Sequence, residues 1–374
     1  MARTADILVV GGGVIGCAIA YELAKAGLAV TLVERGTPGC EASSAGAGML
    51  APQAESSAAS PRLGLGLASK ALYADLALEL RERIGLDIEY ETGGNLHCFL
   101  DEGDEAVGRA ACAWQREAGL KAELLSRADA LALEPDLSPE VRGALFLPED
   151  HWVNNPRLVT ALAGAAALEG VRFITGEATA FLRAGDRVTG AQVGEDQVRA
   201  AVVVLAAGAW SGQLAATAGL RLPVGPVRGQ IVCLEGIPRR HRHLLHIKDH
   251  YLVSRVNGEI LIGASVEWAG FAKQVTAEYV RSALDAAIRL APALARLPIK
   301  ATWAGFRPWA PDELPIIGAW PGLDGLVVAT GHFRNGILLA PITGRLIREL
   351  LVDHAPSLDL TPFLPDRFAR EVTR

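Results

Sequence analysis

No two cysteines of this chain stand at C-x-x-C spacing, and the total of five (Cys17, Cys40, Cys98, Cys112, Cys233) is odd. Both facts argue against a disulfide framework or a structural zinc site and point to reduced thiols in a cytoplasmic protein. No apolar run reaches membrane-spanning length. Ala5–Val10 opens as a buried-type strand, without the cationic start, apolar core and cleavage site of a signal peptide. An excess of positive charge is also missing. With a net charge of −6 over 374 residues, no general affinity for nucleic acid or anionic membrane is expected. The one local basic run, Arg239-Arg240-His241-Arg242-His243, reads as a solvated loop. Histidines 241, 243 and 246 lack a nearby carboxylate or thiol in sequence, so no metal is expected. Internal repeats and long low-complexity tracts are absent. What is present is a half-hydrophobic chain, long enough for large cores and of a size that favours two intertwined domains of the α/β class.

The first chemistry-bearing pattern is Gly11-Gly12-Gly13-Val14-Ile15-Gly16, set between the strand ending at Val10 and an amphipathic helix running to about Ala26. A second strand follows, Ala29 to Val33, and closes on Glu34. This order is a βαβ unit with the G-x-G-x-x-G fingerprint of dinucleotide binding. Gly11 makes the tight turn, Gly13 lets backbone approach a pyrophosphate, and Gly16 lets helix and strand pack closely. Glu34 stands where an acid takes the ribose hydroxyls. The motif alone does not separate NAD from FAD.

Beyond Glu34 the segment Ala42-Ser43-Ser44-Ala45-Gly46-Ala47-Gly48-Met49 reads either as a loop or as a place where a flat ring nears backbone amides. Helices are expected at Pro61 to Ile84, Asp104 to Ala118 and Pro156 to Glu169, with strands near Asp87 to Phe99 and Val171 to Thr175. AVVVLAAG (201–208) has the character of a strand buried on both faces of a parallel sheet. Asn257-Gly258, between two alternating runs, marks a two-residue hairpin. Pairing Val256 with Glu259 would set Tyr251 opposite Ala264 and Asp249 opposite Val266. Farther on, alternation in ATWAGFRPW (301–309) places Trp303, Gly305 and Arg307 on one side. An arginine in such a strand meets either an anion or a structural salt bridge. Finally, VVATGHFRNGILLAP (327–341) brings a strand, a glycine turn, Arg334 and a helix start together, a combination suited to holding something anionic.

Taken together, GGGVIGCAIAYELAKAG, SSAGAGML, VVVLAAGAWSG, WAGFRP and above all GHFRNGILLAP resemble the FAD-dependent amine oxidases of the D-amino acid oxidase and sarcosine oxidase type, in particular the glycine oxidase group of thiamine biosynthesis. The resemblance covers nearly the whole chain. It implies a Rossmann-type FAD-binding domain from segments 1–85, 150–220 and 318–374, and a substrate-binding domain on a large antiparallel or mixed sheet from 86–149 and 221–317. The implied FAD is non-covalent, since no cysteine follows Cys233 where sarcosine oxidases attach their flavin. Homo-oligomers, dimeric or tetrameric, are implied as well.

Carried over by position, cofactor contacts fall at Gly11, Gly13, Val14, Ile15, Gly16, Glu34, Arg35, Ala42, Ser43, Ala47, Gly48, Met49 and Thr179. They continue along His332, Phe333, Arg334, Asn335, Gly336, Ile337 and Leu338. Arg307 and Tyr251 would hold a substrate carboxylate, with Arg334 beside both flavin and substrate. Val266 replaces a methionine of glycine oxidases, and Asp249 and His250 replace a histidine and a cysteine, so Asp249, His250 and Val266 are expected to reshape the pocket roof. The implied reaction is hydride transfer from a small amine or amino acid to flavin, then on to O2, giving an imine, a 2-oxo acid, ammonia and H2O2. Sarcosine or other N-alkyl glycine oxidation, D-amino acid oxidation, quinone-coupled dehydrogenation and a non-catalytic flavin module are the alternatives. His332 reads as a packing or orienting residue.

Overall fold

Ile7–Val10, the end of the first strand (β1, Ala5–Val10), is buried without alternation because both faces and both edges of this strand are covered. In the computed structural model, which describes residues 5–372, β1 pairs in parallel with Asp196–Leu205 on one side and with β2 (Val30–Glu34) on the other. The sheet runs from Ile316–Ala319 through Leu326–Thr330, Asp196–Leu205, β1 and β2 to Arg172–Thr175, and the hairpin of Ala178–Ala184 and Arg187–Val193 joins it through Asp196–Leu205.

One face of this sheet is covered by helix α1 (Val14–Lys25) together with helices Asn155–Leu168 and Gly336–Arg348. Close helix packing needs small residues here. A Cβ on Gly344 would fall 2.9 Å from the Ala18 carbonyl oxygen. The alanine-rich helix Asn155–Leu168 begins with a cap from the Asn154 side chain, which accepts from Arg157 N, and with Pro156 in its first turn, where a missing N–H costs nothing.

A second eight-stranded sheet has the order Ile299–Trp309, Gly225–Glu235, Glu259–Gly263, His250–Ser254, Leu244–Ile247, Asn95–Phe99, Gly143–Leu147, Glu123–Ser126. All neighbours are antiparallel except Leu244–Ile247 with Asn95–Phe99. Strand Gly225–Glu235, next to the edge strand, sends Val232 and Leu234 into a core roofed by helix Ala277–Leu290. Ile231 and Cys233 go to the opposite face with Tyr251, Val253 and Leu261. The α/β class and the two large sheets agree with the sequence reading.

Four local expectations are corrected. Pro61–Ile84 is two helices, Pro61–Lys70 and Tyr73–Ile84. The break is held by tertiary bonds, since Ser69 Oγ and the Tyr73 hydroxyl donate to the successive carbonyls of Leu338 and Ile337. The strand near Asp87–Phe99 starts only at Asn95, because Gly94 takes a left-handed φ of 84° just before it. The basic run is not a solvated loop: Glu134, 2 % exposed, accepts from Arg242 N and His243 N and meets the rings of His241 and His243. A carboxylate therefore does approach these histidines, while His246 turns instead to Asn95. In the hairpin, Gly258 N donates to Arg255 O and Gly258 has φ 87°, so three residues turn the chain and Tyr251 pairs with Gly263, not Ala264. Among the described residues no helix is long and apolar enough to cross a membrane, and no group of three or more His, Cys, Asp or Glu is placed to hold a metal ion.

Candidate active site

A long cleft lies between the two sheets, lined from below by the C-terminal ends of the parallel strands and from above by the second sheet. Its nucleotide end is built by the glycine turn. A Cβ on Gly11 would fall 2.4 Å from the Ala206 carbonyl oxygen, and one on Gly16 1.8 Å from the Gly11 carbonyl oxygen, so backbone alone fits here. Glu34, at the end of β2, accepts from Gly12 N at 2.7 Å and Gly36 N at 3.0 Å. These bonds fix its carboxylate at the cleft wall.

The short helix Ala42–Ala45 crosses the floor and is tied from three sides. Ser43 Oγ accepts from Val14 N at 2.9 Å, Asn155 Nδ2 donates to Ser43 O at 2.5 Å, and Trp303 Nε1 donates to Ala45 O at 3.0 Å. Asn155 is in turn oriented by buried Arg255, whose Nη2 donates to its Oδ1 at 2.7 Å. The Arg35 guanidinium lies 3.9 Å above the Trp210 ring, a cation–π pair at the rim.

At the other end the cleft becomes cationic. Arg307 lies flat over Gly229, where an added Cβ would come within 2.4 Å of its Nη1, and that Nη1 donates to Ser265 O at 2.8 Å. The same Nη1 also reaches Arg228 O at 3.5 Å, while Nε and Nη2 make no hydrogen bond among the described residues. As alternation requires, Trp303 and Gly305 share this face of the strand. The Tyr251 hydroxyl is beside the Cβ direction of Gly263, where a methyl would meet it at 2.5 Å. Burial raises the Tyr251 hydroxyl above its usual range, so it stays protonated and can donate. Burial lowers the Arg307 guanidinium from its ordinary value.

Arg334 leaves the turn after Thr330 and is clamped in a fork by Glu55, Nε to Oε2 at 2.7 Å and Nη2 to Oε1 at 2.9 Å. That carboxylate, more than any other influence, raises the Arg334 guanidinium above its usual range. Burial pushes His332 down to about 3, and its Nε2 shares a 3.0 Å hydrogen bond with Thr343 Oγ1. It is therefore neutral and engaged, which suits an orienting role.

The structure brings together at the cleft Gly11, Gly13, Val14, Ile15, Glu34, Arg35, Ala42, Ser43, Ala47, Gly48, Met49, Tyr251 and Arg307, with His332, Phe333, Arg334, Gly336 and Ile337. Others stand elsewhere. Gly16 packs against the Gly11 backbone behind the wall, Leu338 is buried against Gly66, and Asn335 is buried at the helix start, its N–H donating to His332 O. Thr179 points out on strand Ala178–Ala184, and Ala178 takes the lining position. Asp249 sits exposed in the two-residue turn between Ile247 and His250. His250 stacks on Tyr279 and Val266 is exposed at 37 %, so none of the three expected roof residues lines the cleft. Gly229, Ile231 and Ala264 form that roof. Sequence reading missed Glu55, Gly229, Asn155 and Arg255. Only Gly229, a lone glycine within an apolar strand, carried a local signal.

The fit to a flavin dinucleotide is tested by the cleft itself. Its backbone cradle at Gly11–Ile15, the fixed Glu34 carboxylate and the small-residue floor at Ala42–Gly48 suit a pyrophosphate, a ribose and a flat ring, in that order. A family model described as FAD dependent oxidoreductase matches residues 6–350. The glycine oxidase of Geobacillus kaustophilus is 38 % identical over 367 residues, covering 97 % of each chain. The hydrogen cyanide synthase subunit HcnC of Pseudomonas aeruginosa is 36 % identical and covers 99 % of this chain and 98 % of that one. The crystal structure of glycine oxidase from G. kaustophilus matches with a TM-score of 0.94 at 37 % identity, over 98 % of this chain and 99 % of the other. Sequence, fold and cradle agree, and the chain belongs to the DAO family of FAD dependent oxidoreductases.

Proposed function

We propose that the protein oxidises glycine and comparably small amino acids, releasing an imine that water converts to a 2-oxo acid and ammonia. One observation carries this reading: Arg307 lies over Gly229 beside the Tyr251 hydroxyl, at the far end of the cleft from the dinucleotide cradle. That pair can hold a carboxylate through a planar fork and one further hydrogen bond. Gly229, Ile231 and Ala264 leave a small, mostly apolar roof over it.

The remaining work of the chain is orientation and electrostatics. Arg307 and Tyr251 fix the carboxylate and so aim the α-carbon. Gly336 and Ile337, in the first turn of helix Gly336–Arg348, line the cleft and present the positive end of that helix to it. His332 is buried, neutral and bonded to Thr343, so it supplies no base. The substrate amine must then arrive neutral, its lone pair driving departure of the hydride. Bound FAD would supply the hydride acceptor and pass the electrons to O2, with hydrogen peroxide as product.

Anaerobic addition of glycine to the yellow holoenzyme tests this reading. Bleaching of the flavin band, with peroxide released once air is admitted, is the expected result. A flavin that stays oxidised with glycine, sarcosine and D-alanine alike would overturn it.

A further inference from the structure

The cationic end of the cleft contains two arginines but only one unbalanced positive charge. Arg307 and Arg334 contribute two charges and Glu55 removes one, while Tyr251 and His332 are neutral. The fork between Glu55 and Arg334 uses Nε and Nη2 of the guanidinium, the edge that would otherwise grip a second carboxylate. We propose that Glu55 sets the charge selectivity of the site, holding Arg334 occupied so that the cleft accepts amino acids with one carboxylate and rejects those with a second anionic group. This rests on the amine-oxidation reading given above and deepens it.

Glu55 cannot easily move aside to release Arg334, because the backbone beneath it is tied down. Gln53 N and Ala54 N donate to the two oxygens of buried Asp150 at 3.2 and 3.1 Å. Gln53 Nε2 donates to Gln115 Oε1 at 2.7 Å and to Lys121 O at 3.0 Å. The Glu55 carbonyl accepts from Arg62 Nη2 at 2.9 Å. A dianionic substrate therefore meets a fixed carboxylate, and either suffers its repulsion or must break a bidentate ion pair. Selectivity of this kind comes from a built-in repulsive element, not from a better fit to the preferred substrate.

The test uses iminodiacetate and its monoamide, two N-substituted glycines of the same shape that differ by one charge. Their dissociation constants are read from perturbation of the flavin spectrum of the holoenzyme under anaerobic conditions. Wild-type protein should bind the monoamide at least about tenfold more tightly than iminodiacetate. In Glu55→Gln that ratio should fall by about tenfold or more, and in Glu55→Asp, which keeps the charge, it should stay near the wild-type value. Equal binding of the two ligands by wild-type protein would overturn the proposal even if Glu55→Gln failed to fold. An unchanged ratio in folded Glu55→Gln would overturn it too. Wild-type flavin that glycine cannot reduce would instead bring down the amine-oxidation reading beneath it, so the two failures are told apart.

Discussion

Arg307 and Gly229 act as one device, since a guanidinium can lie across a strand only where the facing strand has no Cβ. Arg307→Ala should leave the cradle and its FAD intact but raise the KM for glycine strongly, by the equivalent of about 2 to 5 kcal/mol of lost binding. Gly229→Ala should raise it as well with Arg307 still present, because the new methyl pushes the guanidinium off its bond to Ser265 O. Steady-state kinetics with the flavin content measured in parallel checks both, and an unchanged KM in Arg307→Ala would remove Arg307 from the carboxylate site. The placement of Arg307 was readable from alternation, which also put Trp303 and Gly305 on its side. Glu55 was not readable. Its partner is 279 residues away, and it lies in a loop whose sequence has no period to interpret. Asn155 and Arg255 were hidden for the same reason, each meaningful only through a neighbour about a hundred residues distant.

Among the elements, the hairpin around Asn257-Gly258 shows where sequence reading gave out. The dipeptide announces a tight turn, and the turn is there, but a bond from Gly258 N to Arg255 O adds one residue to the loop. That shifts every later pair by one position, from Ala264 to Gly263 opposite Tyr251. Asp249 meanwhile falls into the next turn and leaves the sheet. Parallel strands such as β1 and Asp196–Leu205 were easier, because burial on both faces leaves a continuous apolar run in the sequence. The loop carrying Glu55 depends on Asp150, which is 0 % exposed and whose carboxyl burial pushes up to about 7. An acid raised in the folded state contributes stability that is complete below its unfolded value and lost as pH rises through the folded one. Between about pH 4 and 7, therefore, Asp150→Asn should gain on the wild type, with a relative change of the order of 4 kcal/mol across the window. Denaturant melts of both proteins at about pH 4 and about pH 8 measure it, and parallel pH dependences would show that Asp150 does not titrate in the range.

At the scale of the molecule, the cleft is where two separately built sheets face each other. Its floor comes from β1, α1, the Ala42–Gly48 segment and the turn at His332–Ile337, and its roof from Gly229, Ile231, Tyr251, Ala264 and Arg307. Each sheet has its own core, one gathered around α1 and helix Gly336–Arg348, the other under helix Ala277–Leu290. A ligand filling the cleft therefore touches residues brought together from nearly the full length of the chain, and global unfolding must release it. Linkage then fixes the size of the effect: free FAD at a hundred times its Kd adds about 2.7 kcal/mol to unfolding. For a chain of this length that is about 3 to 4 °C in Tm, with just under about 2 °C more for each further tenfold in FAD. FAD-stripped protein titrated with FAD in a thermal scan should follow that logarithmic rise. Hydrogen exchange should slow on both sides of the cleft, at Gly11–Ile15 and Ala42–Gly48 below and around Gly229 and Tyr251 above. A Tm that does not respond to FAD would mean that the cleft is not the cofactor site, and protection on the floor alone would mean that the roof is not in contact with what the floor holds.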